Sequence, residues 1–158
     1  MIKALVAATA LAVSLPIMAF AECAEVTQGD ITLSGAWSRA TVGADRPAVF
    51  YVTIRNDGSS DDHLTGITTP VAAMPMLHET VIQDGAARMP HADRIVIPAG
   101  DTVSLAPGSY HGMLMELSSA LDEGSSFPMT LQFEKAGPIE IKTDVLPIRA
   151  REAACAAP

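Results

Sequence analysis

The stretch Phe127-Pro128-Met129-Thr130-Leu131-Gln132-Phe133-Glu134 decides the fold. Its apolar members fall at every second position, and side chains of a strand alternate between faces, so this is a strand with one dry face and one wet face. Comparable runs lie at Val49 to Asn56, Met74 to Ile82, Arg94 to Ile97, Thr102 to Leu105, Ser109 to Leu117 and Ile139 to Pro147. Asn56-Asp57-Gly58, Asp84-Gly85, Pro98-Ala99-Gly100, Pro107-Gly108 and Ala136-Gly137-Pro138 separate them with the residues that tight turns need. Many short strands at this spacing, with no helix-period segment of useful length among them, predict an all-β sandwich or barrel.

Outward from this pattern, the ends read differently. Lys3 is the only charge before Glu22, the run from Ala4 to Ala21 is apolar apart from Ser14, and Ala19-Phe20-Ala21 supplies small residues around a cleavage point. These features predict a cleaved signal peptide over residues 1–21, a domain over 22–148 and a loose Ala-rich tail over 149–158. Glu22 precedes Cys23, where a lipidation signal wants a small residue, so a lipid anchor is not expected. Cys23 and Cys155 lie at opposite ends of the mature chain: a candidate disulfide if the termini meet, otherwise two free thiols.

Composition narrows the function. With 158 residues, 49% hydrophobic, the chain suits one domain. A net charge of −8 with ten scattered basic residues lacks the basic stripe that nucleic-acid binding needs. No membrane span is expected in the mature chain, which is read as a monomer.

The chemistry-bearing residues are four His and eight Met. His111 and Met113 are two apart in a strand-like run, so the pleat turns both to one face, about 7 Å apart. A two-residue hairpin turn at Asp84-Gly85 sets Thr80 opposite Met89 and His78 opposite His91, which makes His78 and Met89 diagonal neighbours. Joined, the two pairs make a His2Met2 site of His78, Met89, His111 and Met113. Two neutral, soft thioethers select Cu(I) over zinc, calcium or magnesium. Met76 is placed as a possible lining residue. His91 is left open because Pro90 disturbs the ladder beside it. Met74, Met115 and Met129 are assigned to packing, His63 to a solvated loop, Trp37 to the core and Arg39 to the surface or a sheet edge.

The spacing His78, ten residues, Met89, twenty-one residues, His111, one residue, Met113 resembles the H-x10-M-x21-H-x-M motif of the periplasmic copper chaperone family of the PCu(A)C type. Ala36-Trp37-Ser38-Arg39-Ala40, Ile97-Pro98-Ala99-Gly100 and the segment Ser109 to Met115 look like further segments of that family. The resemblance implies a cupredoxin-like Greek-key β-sandwich that binds Cu(I) through those four residues. It also implies delivery toward the copper-A subunit of cytochrome c oxidase, alongside Sco-type thioredoxin-fold proteins. One departure is plain: the ending Arg151 to Pro158 holds no His or Met, so a C-terminal Cu(II) site is not carried over.

Rival readings are weaker. A blue-copper carrier needs a Cys among its ligands, and both cysteines are terminal. His78-Glu79 opens like a zinc-protease motif, but position 82 is Ile, and four protein ligands leave no open position, so no catalysis is expected. A general periplasmic copper-homeostasis protein and a metal-free β-sandwich binding module remain as alternatives.

Overall fold

In the computed structural model, which describes residues 23–155, every regular element is a strand. The leader expected over residues 1–21 lies outside the described residues. In chain order the strands are β1 (Glu25–Gln28), β2 (Ile31–Arg39), β3 (Ala48–Asn56), β4 (Asp62–Thr68), β5 (Ala72–Glu79), β6 (Val81–Gln83), β7 (Ala86–Arg88), β8 (Ile95–Ile97), β9 (Thr102–Leu105), β10 (Tyr110–Leu117), β11 (Ser126–Phe133) and β12 (Gly137–Leu146).

Ten of them share one hydrogen-bonded sheet with the order β5-β10-β3-β2-β12-β11-β4-β8, with β1 added to β2 and β9 to β3. The chain crosses from β3 to β4, back to β5, and across again from β10 to β11, the Greek-key habit. It ends in β12, which runs parallel to β2. The sheet curls until its two ends face each other as a sandwich. Ile67 of β4 packs where a side chain at Gly112 of β10 would stand, although the two strands are far apart in the ladder. Between the layers Leu33, Phe50, Ile54, Leu64, Leu114, Met129 and Leu131 are fully buried. Each such side chain contributes about 1.5–3 kcal/mol of burial free energy.

The alternation at Phe127 to Glu134 is that of β11, whose Phe127, Met129, Leu131 and Phe133 are buried. Strands β1, β2, β4 and β7 lie outside the runs read from periodicity. Strand β2 is buried almost throughout, with the polar Thr32, Ser34 and Ser38 as covered as the apolar residues between them. A bulge between Ser34 and Trp37, at Gly35 with φ +60°, resets its register. Strand β4 opens on Asp62-His63, and there the expectation of a solvated loop is corrected. His63 pairs with Val96 and its Nδ1 lies 3.1 Å from the Glu134 carboxylate.

The terminal segments are tied down as far as they are described. Cys23 and Cys155 form a disulfide across a sequence separation of 132, a loop for which chain-entropy arguments give on the order of 4–5 kcal/mol. Arg39 Nε donates to Ala150 O at 2.8 Å. The segment expected to be loose from residue 149 is therefore held to the body through Cys155, because its sulfur and a backbone carbonyl both find partners there.

Asp62 is a buried carboxylate with a structural task. It accepts from the backbone N–H groups of His63 at 2.7 Å, Lys135 at 2.9 Å and Ala136 at 2.9 Å, fixing the β11–β12 turn against β4. Burial disfavours its charge, but the three N–H donors and the Lys135 ammonium outweigh that, and its pKa falls below the usual 3.8. The group thus contributes stability above that unfolded-state value, and the contribution disappears as pH falls through the lower folded-state pKa. Urea unfolding at pH 7 is expected to show Asp62→Asn destabilised by about 1–3 kcal/mol, since an amide turns N–H toward N–H. The gap between variant and wild type should shrink at pH 3; a constant gap would contradict this role.

Candidate metal centre

The centre begins with one register. Antiparallel pairing of β5 with β10 sets His111 directly opposite His78, Met113 opposite Met76 and Met115 opposite Met74. The rings of His78 and His111 stand 5.9 Å apart, centroid to centroid, and tilted by 32°. On the other face of the same strands Leu77 and Leu114 enter the core. Gly112, between His111 and Met113, faces inward with Leu114. A Cβ there would stand 2.8 Å from Ile67 Cδ1 and 3.0 Å from Phe50 Cβ, so only glycine lets β10 lie this close to the core.

The hairpin after β5 supplies the other flank. Asp84 and Gly85 have φ of +53° and +76°, the left-handed pair of a two-residue turn, and β6 pairs with β7 from Gln83–Ala86 outward to Val81–Arg88. Carried past Pro90, the same register makes His78 and His91 an isolated bridge. Pro90 donates nothing, but its carbonyl accepts from Glu79 N at 3.1 Å, so pairing survives the proline. His78 stands between two imidazoles, with the His91 ring 5.9 Å away and edge-on. His91 is exposed and its Nε2 lies 3.5 Å from Asp93 Oδ1. Met89 is 51% exposed, the outermost of the four residues in the spacing motif.

Both central imidazoles are oriented by the backbone. His78 Nδ1 donates to Met89 O at 2.9 Å and His111 Nδ1 to Ser109 O at 3.1 Å. A carbonyl only accepts, so the proton sits on Nδ1 of each ring and the Nε2 lone pair is left for another partner. His111 is buried at 4% exposure. His78 Nε2 is buried without any hydrogen-bond partner. An orphaned buried nitrogen normally costs about 1–3 kcal/mol, so it stands either as a defect or as a coordination point. Among the described residues no set of three His, Cys, Asp or Glu side chains gathers to hold a metal. The same strand face offers thioether sulfur beside the two imidazoles. Those donors suit a soft monovalent ion.

Two packing assignments are corrected. Met129 is fully buried, but Met74 is 42% exposed, and neither Met74 nor Met115 joins the core. They share the outer face with Met76 and Met113, and the period-two spacing Met74, Met76, His78 and His111, Met113, Met115 was the signal for it. Trp37 is buried as expected, but beside the disulfide-held end of the chain. Its ring lies 4.6 Å from that of Tyr51, with the Arg39 guanidinium over both at 5.9 and 5.7 Å. Burial pushes the Tyr51 hydroxyl pKa up, with Arg39 opposing.

Comparison with known proteins bears on the family and the fold. The LpqE-like family profile, which carries a lipoprotein name, matches residues 31–145. Lxx21020 of Leifsonia xyli subsp. xyli (strain CTCB07), also given a lipoprotein name, is 39% identical over 104 residues; this is 65% of the present chain and 61% of that protein. A copper-bound PCuAC domain from PmoF2 superposes with a TM-score of 0.67 and 28% identity, over 78% of this chain and 97% of that one. Cu(I)-DR1885 from Deinococcus radiodurans gives 0.61 and 27%, over 80% and 83%. The architecture is that of PCuAC domains.

Gly112 offers a test of how the core sets the ring positions. Gly112→Ala is expected to cost about 1–3 kcal/mol in urea unfolding through overpacking against Phe50 and Ile67. It should also shift the His111 and Met113 NMR resonances; unchanged stability and unchanged resonances would contradict the close approach.

Proposed function

The chain belongs to the LpqE-like family, and on that premise we propose that it is an exported copper carrier. Its cargo is one Cu(I), held by His78, Met89, His111 and Met113 and passed on in the assembly of the copper-A centre of cytochrome c oxidase. The observation that carries the reading is the buried Nε2 of His78, which has no hydrogen-bond partner and sits beside a second imidazole pinned in the same tautomer. Two neutral imidazoles and two neutral thioethers match Cu(I) in softness. The PmoF2 domain with copper and DR1885 with Cu(I) support that choice of ion by likeness of fold.

The donors also speak to the task. Four neutral ligands leave the ion's charge uncompensated and form no thiolate bond, so the cargo is releasable. Four protein donors leave no open position for a substrate, which favours carriage over turnover. Met89, half exposed, is the first ligand an acceptor can displace; Met113 follows, and the two carbonyl-anchored imidazoles leave last.

The signal peptide over residues 1–21 sends the chain to the periplasm and is removed, leaving the domain over 22–148 and the tail over 149–158. The sulfur of Cys23 is bonded to Cys155, which leaves no thiol for a lipid. No helix among the described residues is long and apolar enough to cross a membrane. The carrier acts as a monomer, with the copper-A subunit and Sco-type thioredoxin-fold proteins as its partners.

The test is an anaerobic Cu(I) titration of residues 22–158 against a coloured competing chelator. One ion per chain is expected. Alanine at His78 or His111 should weaken retention by at least about tenfold, or about 1.4 kcal/mol, with smaller losses for Met89→Ala and Met113→Ala. Undiminished retention in both His variants would overturn the site.

A further inference from the structure

We propose that Met74, Met76 and Met115 form a second, weaker Cu(I) site that adjoins the first through Met113 and serves as its loading and unloading path. This rests on the reading of His78 and His111 as the principal seat of the ion.

The outer face of β5 and β10 carries three cross-strand pairs in succession: His78 with His111, Met76 with Met113, and Met74 with Met115. Directly opposed side chains have Cβ atoms about 4.5–5.5 Å apart, and successive rows follow at about 7 Å along the strands. Flexible thioethers can therefore meet within a row and lean toward the next. Exposure rises along the series. His111 is 4% exposed, Met113, Met76 and Met115 are intermediate, and Met74 is 42% exposed.

Burial does not account for these residues. The core takes Leu77 and Leu114 from the same two strands, while Met74, Met76, Met113 and Met115 neither belong to it nor pack against it. On β11 the outward positions are polar, as with Thr130 and Gln132. Here four thioethers occupy such positions instead. The alternation ends at Glu116, whose φ of +55° precedes the inward turn of Leu117, so the thioether series stops where the strand regains the core. Three thioethers without an imidazole make a soft site weaker than the first. An ion moving along it stays Cu(I), with one Cu–S bond forming as another breaks.

The experiment uses residues 22–158 carrying 13C-methyl methionine and titrated with Ag(I), a diamagnetic stand-in for Cu(I), while NMR follows all six methyl groups. The first equivalent should move Met89 and Met113, and the second Met74, Met76 and Met115. Met129, fully buried, is the internal control and should stay still. The variant Met74→Leu, Met115→Leu conserves volume, leaves Met76 in place beside the principal seat, and should bind a single equivalent with unchanged tight affinity. It should also release Cu(I) to a competing chelator several-fold more slowly than wild type. Movement of Met89 and Met113 alone, or wild-type release by the double variant, would overturn the second site and leave the first standing. No movement at Met89 or Met113 would overturn the principal seat, and with it the path.

Discussion

The antiparallel register of β5 against β10 is the constraint on which the centre depends. Because His111 is opposite His78 and not one position away, the imidazoles share the outer face while Leu77 and Leu114 share the core. A slip of one residue would exchange the two sets. Gly112 secures the arrangement from within, since no side chain fits between β10 and the pair Phe50 and Ile67. The hydrophobic core and the proposed metal-facing surface are thus two sides of one pair of strands, and packing on one side sets the positions of the proposed ligands on the other.

The second constraint is orientation. An imidazole free to rotate or to change tautomer offers a metal either nitrogen; here Met89 O and Ser109 O each hold an Nδ1 proton. Met89 has two tasks in this scheme, with its carbonyl fixing the His78 ring while its thioether stands half exposed. In the proposed carrier, neutral donors, an exposed outer ligand and an acidic surface suit a holder that must also let go. Far from the centre, Asp62 and the Cys23–Cys155 bond stabilise the scaffold without touching the chemistry.

Much of this was legible in the residues. Period-two alternation located seven strands, and Asp84-Gly85 fixed a hairpin register that persists to the His78–His91 bridge. What escaped has physical reasons. Strand β2 alternates only over Ile31-Thr32-Leu33-Ser34 before the bulge at Gly35 resets its phase, and its polar Thr32 and Ser34 are buried like their apolar neighbours. Strand β4 begins with Asp62 and His63, whose polarity resembles a loop until the Asp62 carboxylate is seen to bind three backbone N–H groups. Thioethers usually fill cores, which points Met74 and Met115 to packing; only the pairing of β5 with β10, a contact distant in sequence, turns them outward. The pairing of Cys23 with Cys155 likewise needed both termini in view.

The most direct measurement is X-ray absorption at the copper edge of the Cu(I)-loaded chain, residues 22–158. Two imidazole nitrogens and two sulfurs around a single copper are expected, with one nitrogen lost in His78→Ala. A copper surrounded by nitrogen and oxygen alone, or a spectrum unchanged by that substitution, would contradict the His2Met2 centre.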